Sequence, residues 1–285
     1  MTPELTTKYN QLTTSLRSMQ NVIIAFSAGV DSTLVLKLAL DTLGPSHVLA
    51  ATGVSPSLAA RELASVKELA SILNAPLELL NTSEMDSPNY TSNPSNRCYF
   101  CKSELYTKLS ELASQKQQQG GHVWTILNGV NADDTGDFRP GLKAADEHAV
   151  RSPLLDAGMT KPDIRALAKH LDIPNWEKPA LACLSSRIPY GTPVTLGSLS
   201  QIEKGEAFLH DRGFTNFRVR HHQKLARIEI PPADLPKLTA DPLRTELLTY
   251  FKNIGYTYVT LDLQGFRSGS SNEVLPLLQI SQSAQ

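Results

Sequence analysis

The sequence predicts an α/β protein in which a doubly wound parallel sheet is followed by a smaller α+β domain. Short apolar runs alternate with helix-length segments, a turn of small residues follows the first run, and the pattern changes near residue 190. Strands separated by helices form right-handed βαβ units, which build a parallel sheet covered by helices on both faces. We expect residues 1–188 to form the first domain and residues 189–285 the second.

The first domain reads as one helix followed by alternating strands and helices. Apolar residues recur at helical spacing over 3–19, after an N-cap at Thr2. The apolar run 21–26 is typical of a strand covered on both faces. Further strands are expected at 47–54, 77–82 and 122–130, and helices at about 32–43, 57–73, 98–118 and 161–171. Residues 131–160 should form a surface connection with one short helix.

The second domain begins after a segment rich in turn formers, SSRIPYGTP at 185–193. Helices are expected at 199–212 and 244–253, and strands at 217–219, 225–230 and 256–263. His221 and His222 then fall in the turn between the first two of these strands, and one of them should be structural. This mixture of elements indicates an α+β module.

Composition excludes several classes of protein. The chain has 285 residues, with 27 basic and 28 acidic side chains and a net charge of −1. That balance argues against a broad surface for nucleic acid or membrane. There is no apolar run of about 18 residues, as a membrane span requires, and the N-terminus does not resemble a signal peptide. We expect a cytoplasmic protein without membrane or nucleic-acid partners.

A candidate phosphate loop, FSAGVDS, lies at residues 26–32, where the first strand meets its helix. Backbone N–H groups and the positive helix end can cradle a phosphate there. The predicted pyrophosphate ligands are Ser27, Ala28, Gly29, Val30, Asp31 and Ser32. Asp31 is anionic, so we assign it to Mg²⁺ or to organising the loop. The lysine of a kinase-type loop is absent, and the alternative is an ordinary tight turn.

This loop resembles the SGGxDS loop of the PP-loop ATP pyrophosphatases, whose fold is adenine nucleotide alpha hydrolase-like. Members of that group bind the pyrophosphate of ATP and adenylate a substrate. Ala28 stands where the family has its second glycine. An alanine fits this place if its φ is negative.

Three cysteines suggest chemistry or a metal rather than a disulfide framework. Cys98 and Cys101 form a C-x-x-C pair at a predicted helix start, and Cys183 lies far along the chain. Two thiolates at this spacing can chelate one metal centre, and a third can close the site with one position open. The alternatives are a thioredoxin-like pair with an unrelated cysteine, or three buried thiols. Arg97, Lys102 and Arg187 flank the cysteines and argue against burial.

Several segments together resemble the LarE family of ATP-dependent sulfur transferases, which make the pincer ligand of the lactate racemase nickel cofactor. They are the phosphate loop, RCYFCK at 97–102, NGVNADDT at 128–135, DFRPG at 137–141, PALACLSSR at 179–187, FRVRHH at 217–222 and GFRSG at 265–269. One form of the family has a single cysteine, at the place of Cys183, which gives up its own sulfur. The other form holds a [4Fe-4S] cluster on three cysteines, and this sequence resembles that form through Cys98, Cys101 and Cys183.

The resemblance implies a function and a set of cofactors. The substrate would be pyridinium-3,5-biscarboxylic acid mononucleotide, and the cofactors would be ATP, Mg²⁺ and the cluster. A carboxylate would be adenylated and then converted to a thiocarboxylate, with Cys183 as the alternative, sacrificial sulfur source. The second domain would bind substrate and support a homo-oligomer, a hexamer by family resemblance. The sulfur donor stays unknown.

Basic side chains of the second part suit such an anionic substrate. Arg187, Arg218 and Arg220 are the predicted ligands of its phosphate and carboxylates, with Ser186 as a hydroxyl donor. Arg218 and Arg220 alternate along a predicted strand, so they share a face; an exposed charged face is the alternative. Three roles are open for Glu206 and Glu229: they bind a metal, orient these arginines or lie on the surface.

Polar residues after the fourth predicted strand form a second candidate for nucleotide contacts. Gly129, Asn131 and Asp133 follow the carboxyl end of that strand, where open α/β sheets bind ligands. Arg139 is predicted to reach the phosphates or the ribose. The alternative is a turn rich in Asn and Asp that caps the next helix.

Three other functions compete with the LarE interpretation. An ATP-dependent tRNA thiolase can share the loop and the cysteines, but the near-zero net charge argues against it. An amidating ligase has no use for three cysteines. A non-catalytic nucleotide or iron sensor would release no pyrophosphate.

Overall fold

A computed structural model describes residues 1–136, 141–179, 182–267, 270 and 273. The chain forms two compact units. The first consists of Met1–Glu84 and Asn96–Leu181, and the second of Met85–Ser95 and Ala182–Gln285. The division differs from the predicted boundary at 188 because residues 85–95 hydrogen-bond with the segment after Cys183. The N–H of Val194, for example, donates to the carbonyl of Thr91 at 2.8 Å.

The first unit has the predicted α/β architecture, with a parallel sheet and alternating helices. Its strands are β1 (Asn21–Ala25), β2 (Val48–Val54), β3 (Leu77–Asn81) and β4 (Trp124–Leu127), in the order β3-β2-β1-β4. Its helices are α1 (Pro3–Arg17), α2 (Val30–Leu43), α3 (Ala60–Ile72), α5 (Arg97–Gly120), α6 (Gly141–Glu147), α7 (Pro153–Asp156) and α8 (Lys161–His170). The connection at 131–160 holds two short α-helices, α6 and α7, where one was expected.

Alternate residues of the sheet feed two apolar cores, one on each face. From β1, Val22 and Ile24 pack in the core that includes α1, α2, α3 and α8, whereas Ile23 packs against α5 and α6. The strand is buried on both sides because successive side chains of a strand point to opposite faces. The carboxyl ends of β1 and β4 are adjacent, since these strands pair in parallel.

The second unit is built on a three-stranded sheet. Its strands are β5 (Arg218–His222), β6 (Leu225–Glu229) and β7 (Tyr258–Leu261), and its helices are α4 (Pro88–Thr91), α9 (Leu196–Asp211), α10 (Leu235–Thr239) and α11 (Leu243–Asn253). β5 and β6 are antiparallel, whereas β6 and β7 are parallel. The predicted turn at His221 and His222 is wrong, because both residues belong to β5 and the turn begins at Gln223, which has a φ of +57°.

Short 3-10 helices complete both units, at Pro45–His47, Glu84–Asp86, Ala132–Gly136, Leu184–Arg187 and Pro232–Asp234. Among the helices of the described residues, α5 is the longest, with 24 residues, of which four are buried. Across the part of the chain that the structure describes, no helix combines the length and apolar character needed to cross a membrane.

Candidate active site

The predicted phosphate loop joins β1 to α2 and is organised by its own hydroxyls. The N–H of Ser27 donates to Oγ of Ser32 at 3.3 Å, and that hydroxyl donates to the carbonyl of Gly29 at 3.1 Å. Gly29 is the N-cap of α2 and has no side chain with which to cap it. The first N–H groups of a helix have no partner within the helix, so such an end is suited to an anion.

Ala28 does not meet the condition under which an alanine was expected to fit the loop. Its φ is +55°, in the left-handed region, and its side chain is fully buried. This conformation favours glycine because a Cβ atom crowds the backbone there. The condition of a negative φ is therefore not met, and Ala28 adopts a backbone conformation that favours glycine.

Gly129 lies directly against the start of α2. A Cβ atom built on Gly129 would be 2.8 Å from the backbone nitrogen of Ser32 and 3.1 Å from the carbonyl carbon of Asp31. The atoms that it would meet are backbone atoms, which cannot rotate away as a side chain can. A glycine is thus required where the end of β4 approaches the loop.

Lys161 connects the two polar segments at this edge of the sheet, and the sequence did not single it out. Its Nζ donates to both carboxylate oxygens of Asp31, each at 2.7 Å, and its backbone N–H donates to Asp133 at 2.7 Å. Thr160 and Asp163 form a capping box that starts α8 at this residue. The motif TKPD at 160–163 could have indicated a helix start here, because it combines a capping threonine, a proline in the first turn and an acid at N3.

Asn131 and Asp133 form the turn that was the alternative to a nucleotide site. Oδ1 of Asn131 accepts the N–H of Asp133 at 3.0 Å, and the N–H of Asn131 donates to Asp134 at 3.1 Å. Asp133 also caps α8 through the N–H of Lys161. A contact of these side chains with a nucleotide stays a prediction. Arg139 lies outside the described residues.

Cys98 and Cys101 lie in the first two turns of α5 and form no disulfide. Cys98 is exposed and Cys101 is half-buried. Residues three apart lie on the same face of a helix, so both can serve one centre. Arg97, at the head of this helix, is buried. The start of α6 is close to this turn, since a Cβ on Gly141 would be 3.0 Å from Cγ of Lys102.

Cys183, in the second unit, is also a free and half-buried thiol, and it immediately precedes the 3-10 helix Leu184–Arg187. Two side chains fix its backbone carbonyl: Ser186 donates to it at 2.8 Å and Arg187 at 3.0 Å. Ser186 in turn accepts a hydrogen bond from Arg187 at 2.9 Å. The conformation of the cysteine-bearing loop is therefore tied to the arginine that follows it.

Two arginines of the predicted substrate site are paired with buried glutamates. Arg187 donates to both carboxylate oxygens of Glu206, at 2.8 and 3.1 Å, and Arg220 donates to both of Glu229, at 2.9 Å each. Glu206 and Glu229 are 1% and 0% exposed, so the alternative that they are surface acids is wrong. They orient the arginines, which was one of the three predicted alternatives. A metal-binding role for them gains no support, because both carboxylates are already engaged.

Arg218 and Arg220 lie on the same face of β5, but their surroundings differ. Arg220 is buried and also donates to the carbonyl of Ser186 at 2.9 Å, so it is not on an exposed face. Arg218 is half-buried, and its guanidinium lies 4.9 Å from the ring centre of Phe266.

The neighbouring histidines differ as predicted, one of them being structural. Nδ1 of His221 lies 3.1 Å from the hydroxyl of Tyr256. Burial, followed by the charge of His222, lowers the pKa of His221. Burial and then two arginines, Arg227 and Arg220, lower the pKa of His222. Both imidazoles therefore favour the neutral form.

Residues 85–95 hold the cysteine-bearing loop of the second unit, a role the sequence did not reveal. The side-chain amide of Asn93, which is fully buried, donates to the carbonyls of Ile188, Pro189 and Thr192 at 3.3, 2.8 and 2.9 Å. The hydroxyl of Tyr90 lies 2.6 Å from that of Ser185. The same segment continues along the chain into the helix that carries Cys98 and Cys101.

Within the described residues of either unit, no three His, Cys, Asp or Glu side chains group closely enough to hold a metal ion. The binding of a cluster by Cys98, Cys101 and Cys183 stays a prediction.

The first unit defines an α/β protein of the Rossmann-like class, with a candidate anion site where β1 meets α2. The chain is 37% identical, over 97% of its length and 98% of the relative, to the pyridinium-3,5-bisthiocarboxylic acid mononucleotide synthase of Lactiplantibacillus plantarum. The chain belongs to the LarE family, and the predicted resemblance is confirmed.

Two further relatives are uncharacterized proteins. One, from Synechocystis sp., is 44% identical over 95% of this chain and 99% of its own length. The other, from Methanocaldococcus jannaschii, is 30% identical over 87% of this chain and 92% of its own length. No family model matches the chain.

Proposed function

We propose that the protein uses ATP to convert a carboxylate of pyridinium-3,5-biscarboxylic acid mononucleotide into a thiocarboxylate, for a nickel-pincer cofactor. The observation that carries this proposal is the full-length similarity to a synthase of the bisthiocarboxylic acid mononucleotide. A synthase that makes a thiocarboxylate places the chain among the enzymes of the sulfurtransferase class.

The activation step would take place at the phosphate loop. A carboxylate is a poor electrophile, so its oxygen attacks the α-phosphorus of ATP, which gives an acyl-adenylate and releases pyrophosphate. The hydroxyl of Ser27 and the uncapped start of α2 supply donors for the pyrophosphate. Ser32, whose hydroxyl donates to the carbonyl of Gly29, would turn to the pyrophosphate when it binds. Lys161 donates to both carboxylate oxygens of Asp31 here. Once Lys161 turns to the phosphates, Asp31 would hold Mg²⁺, and the lysine and the metal would both offset phosphate charge.

Sulfur insertion would depend on the three thiols, which suit a [4Fe-4S] cluster. Thiolates are its usual ligands, and all three cysteines are outside disulfides and at least partly accessible. When bound on Cys98, Cys101 and Cys183, the cluster would supply a soft sulfur nucleophile for the acyl-adenylate. Ser186 and Arg187 would keep the Cys183 loop in one conformation, through their hydrogen bonds to its carbonyl.

The anionic substrate would be bound by the basic group on β5 and the loop before it. Arg218 is the most accessible of the three predicted arginines, so we assign it to direct contact with the phosphate. Arg187 and Arg220 are held by glutamates, which gives them a rigid position at the cost of flexibility. With Ser186 they would orient the carboxylates. The proposed partner is thus a small mononucleotide, and a homo-oligomer is proposed on family grounds.

Anaerobic purification with iron and sulfide analysis, followed by turnover with ATP, Mg²⁺ and substrate, tests the proposal. The brown chromophore should disappear in Cys98→Ala, Cys101→Ala and Cys183→Ala alike. Retention of colour and multiple turnover in the first two variants would reject the cluster. Loss of one H₂S in mass from Cys183 after a single turnover would instead indicate the sacrificial route.

A second arm tests the assignment of Asp31. Asp31→Ala should abolish the pyrophosphate burst and leave the chromophore intact. Asp41→Asn is the matched control, because Asp41 lies in the same helix and also pairs with a lysine, Lys37. An unchanged burst in Asp31→Ala would contradict the assignment. Filter binding to bulk tRNA at moderate salt separates this function from that of a tRNA thiolase.

A further inference from the structure

The phosphate loop contains a backbone conformation that needs an external support. Ala28 has a φ of +55° and a fully buried side chain. The left-handed conformation is roughly 5- to 30-fold less populated for such a residue than the right-handed one. It persists in a folded protein when the surrounding structure determines it. The contacts of the Ala28 backbone therefore decide whether the loop keeps its shape.

The support comes from Asn175, which lies in the turn after α8. Its Nδ2 donates to the carbonyl of Ala28 at 2.9 Å and to Oγ1 of Thr33 at 3.0 Å. Oγ1 of Thr33 donates onward to the carbonyl of Gly29 at 2.8 Å. One side-chain amide thus fixes two consecutive carbonyls of the loop, one directly and one through a hydroxyl.

Fixing these carbonyls also fixes the donors that face an anion. The peptide bonds here are trans, and in a trans peptide the carbonyl and the following N–H point in opposite directions. The carbonyls of Ala28 and Gly29 point toward Asn175 and Thr33, so the N–H groups of Gly29 and Val30 point away from them. The N–H of Gly29 donates to Oγ of Ser27 at 3.4 Å, a long hydrogen bond that a bound anion would replace. Consecutive N–H groups turned to one side form a concave site for anions.

We propose that Asn175 is a positioning residue of the nucleotide site. Its hydrogen bonds hold the phosphate loop in the binding conformation with a positive φ at Ala28, a conformation that a glycine at position 28 would adopt without help. The inference rests on the proposed function, since it assumes that ATP binds at this loop. The amide orientation follows from the contact itself, because a carbonyl oxygen only accepts and Nδ2 is the donor of Asn175.

Two substitutions separate the hydrogen bonds of Asn175 from its volume. Asn175→Ala removes the donor and leaves space, whereas Asn175→Asp keeps the shape and places an acceptor oxygen against the carbonyl of Ala28. Oδ1 of Asn175 is buried and has no hydrogen-bond partner, so Asp brings no compensating contact there. Asn175→Asp should therefore be at least as harmful as Asn175→Ala.

The experiment is a double-mutant cycle between residues 28 and 175 in the full chain, read out by the Kd of Mg²⁺-ATP in titration calorimetry. In the Ala28 background, both Asn175 substitutions should weaken binding about 5- to 30-fold. That factor is the ratio by which the left-handed conformation of Ala28 is less populated than the right-handed one when nothing holds it. In the Ala28→Gly background, Asn175→Ala should weaken binding less than about twofold, because glycine adopts the conformation unaided. Far-UV circular dichroism without ATP establishes that each variant is folded.

A purely structural contribution of Asn175 would not depend on residue 28. Equal losses in the two backgrounds, or affinities within twofold of the wild type in both single variants, would overturn the inference. If a variant fails to fold, Thr33→Val should still weaken binding, because it removes both the acceptor for Asn175 and the donor to Gly29 and keeps the contact of Asn175 with Ala28. An unchanged Kd there counts against the proposal. A wild-type chain that binds no ATP would refute the proposed function and this inference together.

Discussion

Replacing Gly129 by alanine tests whether the close approach of β4 to the phosphate loop matters for the reaction. The new Cβ would lie 2.8 Å from the backbone nitrogen of Ser32. Ordinary contacts between such atoms are about 3.5 Å or longer, so the two segments would have to separate by roughly 0.7 Å. Overpacking of this kind costs about 1–3 kcal/mol, and a displacement near 1 Å at reacting groups lowers rates by about 10²-fold.

We therefore expect Gly129→Ala to reduce substrate-dependent pyrophosphate release by about 10- to 100-fold. The assay is continuous detection of pyrophosphate with ATP, Mg²⁺ and the dicarboxylate mononucleotide. Gly120→Ala is the matched control in the same unit, because its Cβ would meet no atom closer than 4.0 Å and its φ is not positive. A Gly129→Ala enzyme with the rate and the KM for ATP of that control would refute the reasoning.

Further predictions concern the second unit. Asn93→Ala should lower the free energy of unfolding in urea by about 1–3 kcal/mol, because the buried carbonyl of Ile188 and the partly buried carbonyls of Pro189 and Thr192 lose their donor. It should also speed alkylation of Cys183, and an unchanged alkylation rate would show that Asn93 does not fix the conformation of the cysteine-bearing loop. Arg187→Met should cost about 3–5 kcal/mol, since the buried Glu206 loses its guanidinium partner, and adding Glu206→Leu should recover most of that loss; a double variant as unstable as the single one would contradict this. The lowered pKa of His222 means that only the unfolded chain binds this proton just below pH 6.5, so the unfolding free energy should fall as the pH is lowered through that range. His222→Gln should make the unfolding free energy depend less steeply on pH, by an amount that corresponds to the uptake of less than one proton on unfolding. Equal pH dependence in the variant and the wild type would contradict this linkage.

The elements of the first unit were predictable because their signals are local. A run such as Asn21–Ala25 is apolar at every internal position, and that pattern specifies a strand covered on both faces. Element ends were less accurate, as in α2, which begins at Val30 rather than near Ser32. The histidine pair shows the limit of this reasoning. Polar residues after a strand suggest a turn, but pairing with β6 extended β5 through both of them.

The candidate site was predictable in its residue types and not in its connections. The loop at 27–32 was recognisable by its composition, and the cysteines by their spacing. Asn175 and Lys161 carry no such signal, because an isolated asparagine or lysine is ordinary on a surface. Their roles arise from contacts with residues more than a hundred positions away in the chain.

What the sequence by itself determined is the order of the main strands and helices, the position of the candidate phosphate loop and the membership of a family, since these depend on periodicity, motif and similarity along the chain. The tertiary structure decided which charges are paired, which backbone carbonyls are held and which way Ala28 turns. The physical reason is that a buried charge or a left-handed alanine is stable only when specific partners offset its cost. Those partners are brought together by folding, at separations that no local pattern records.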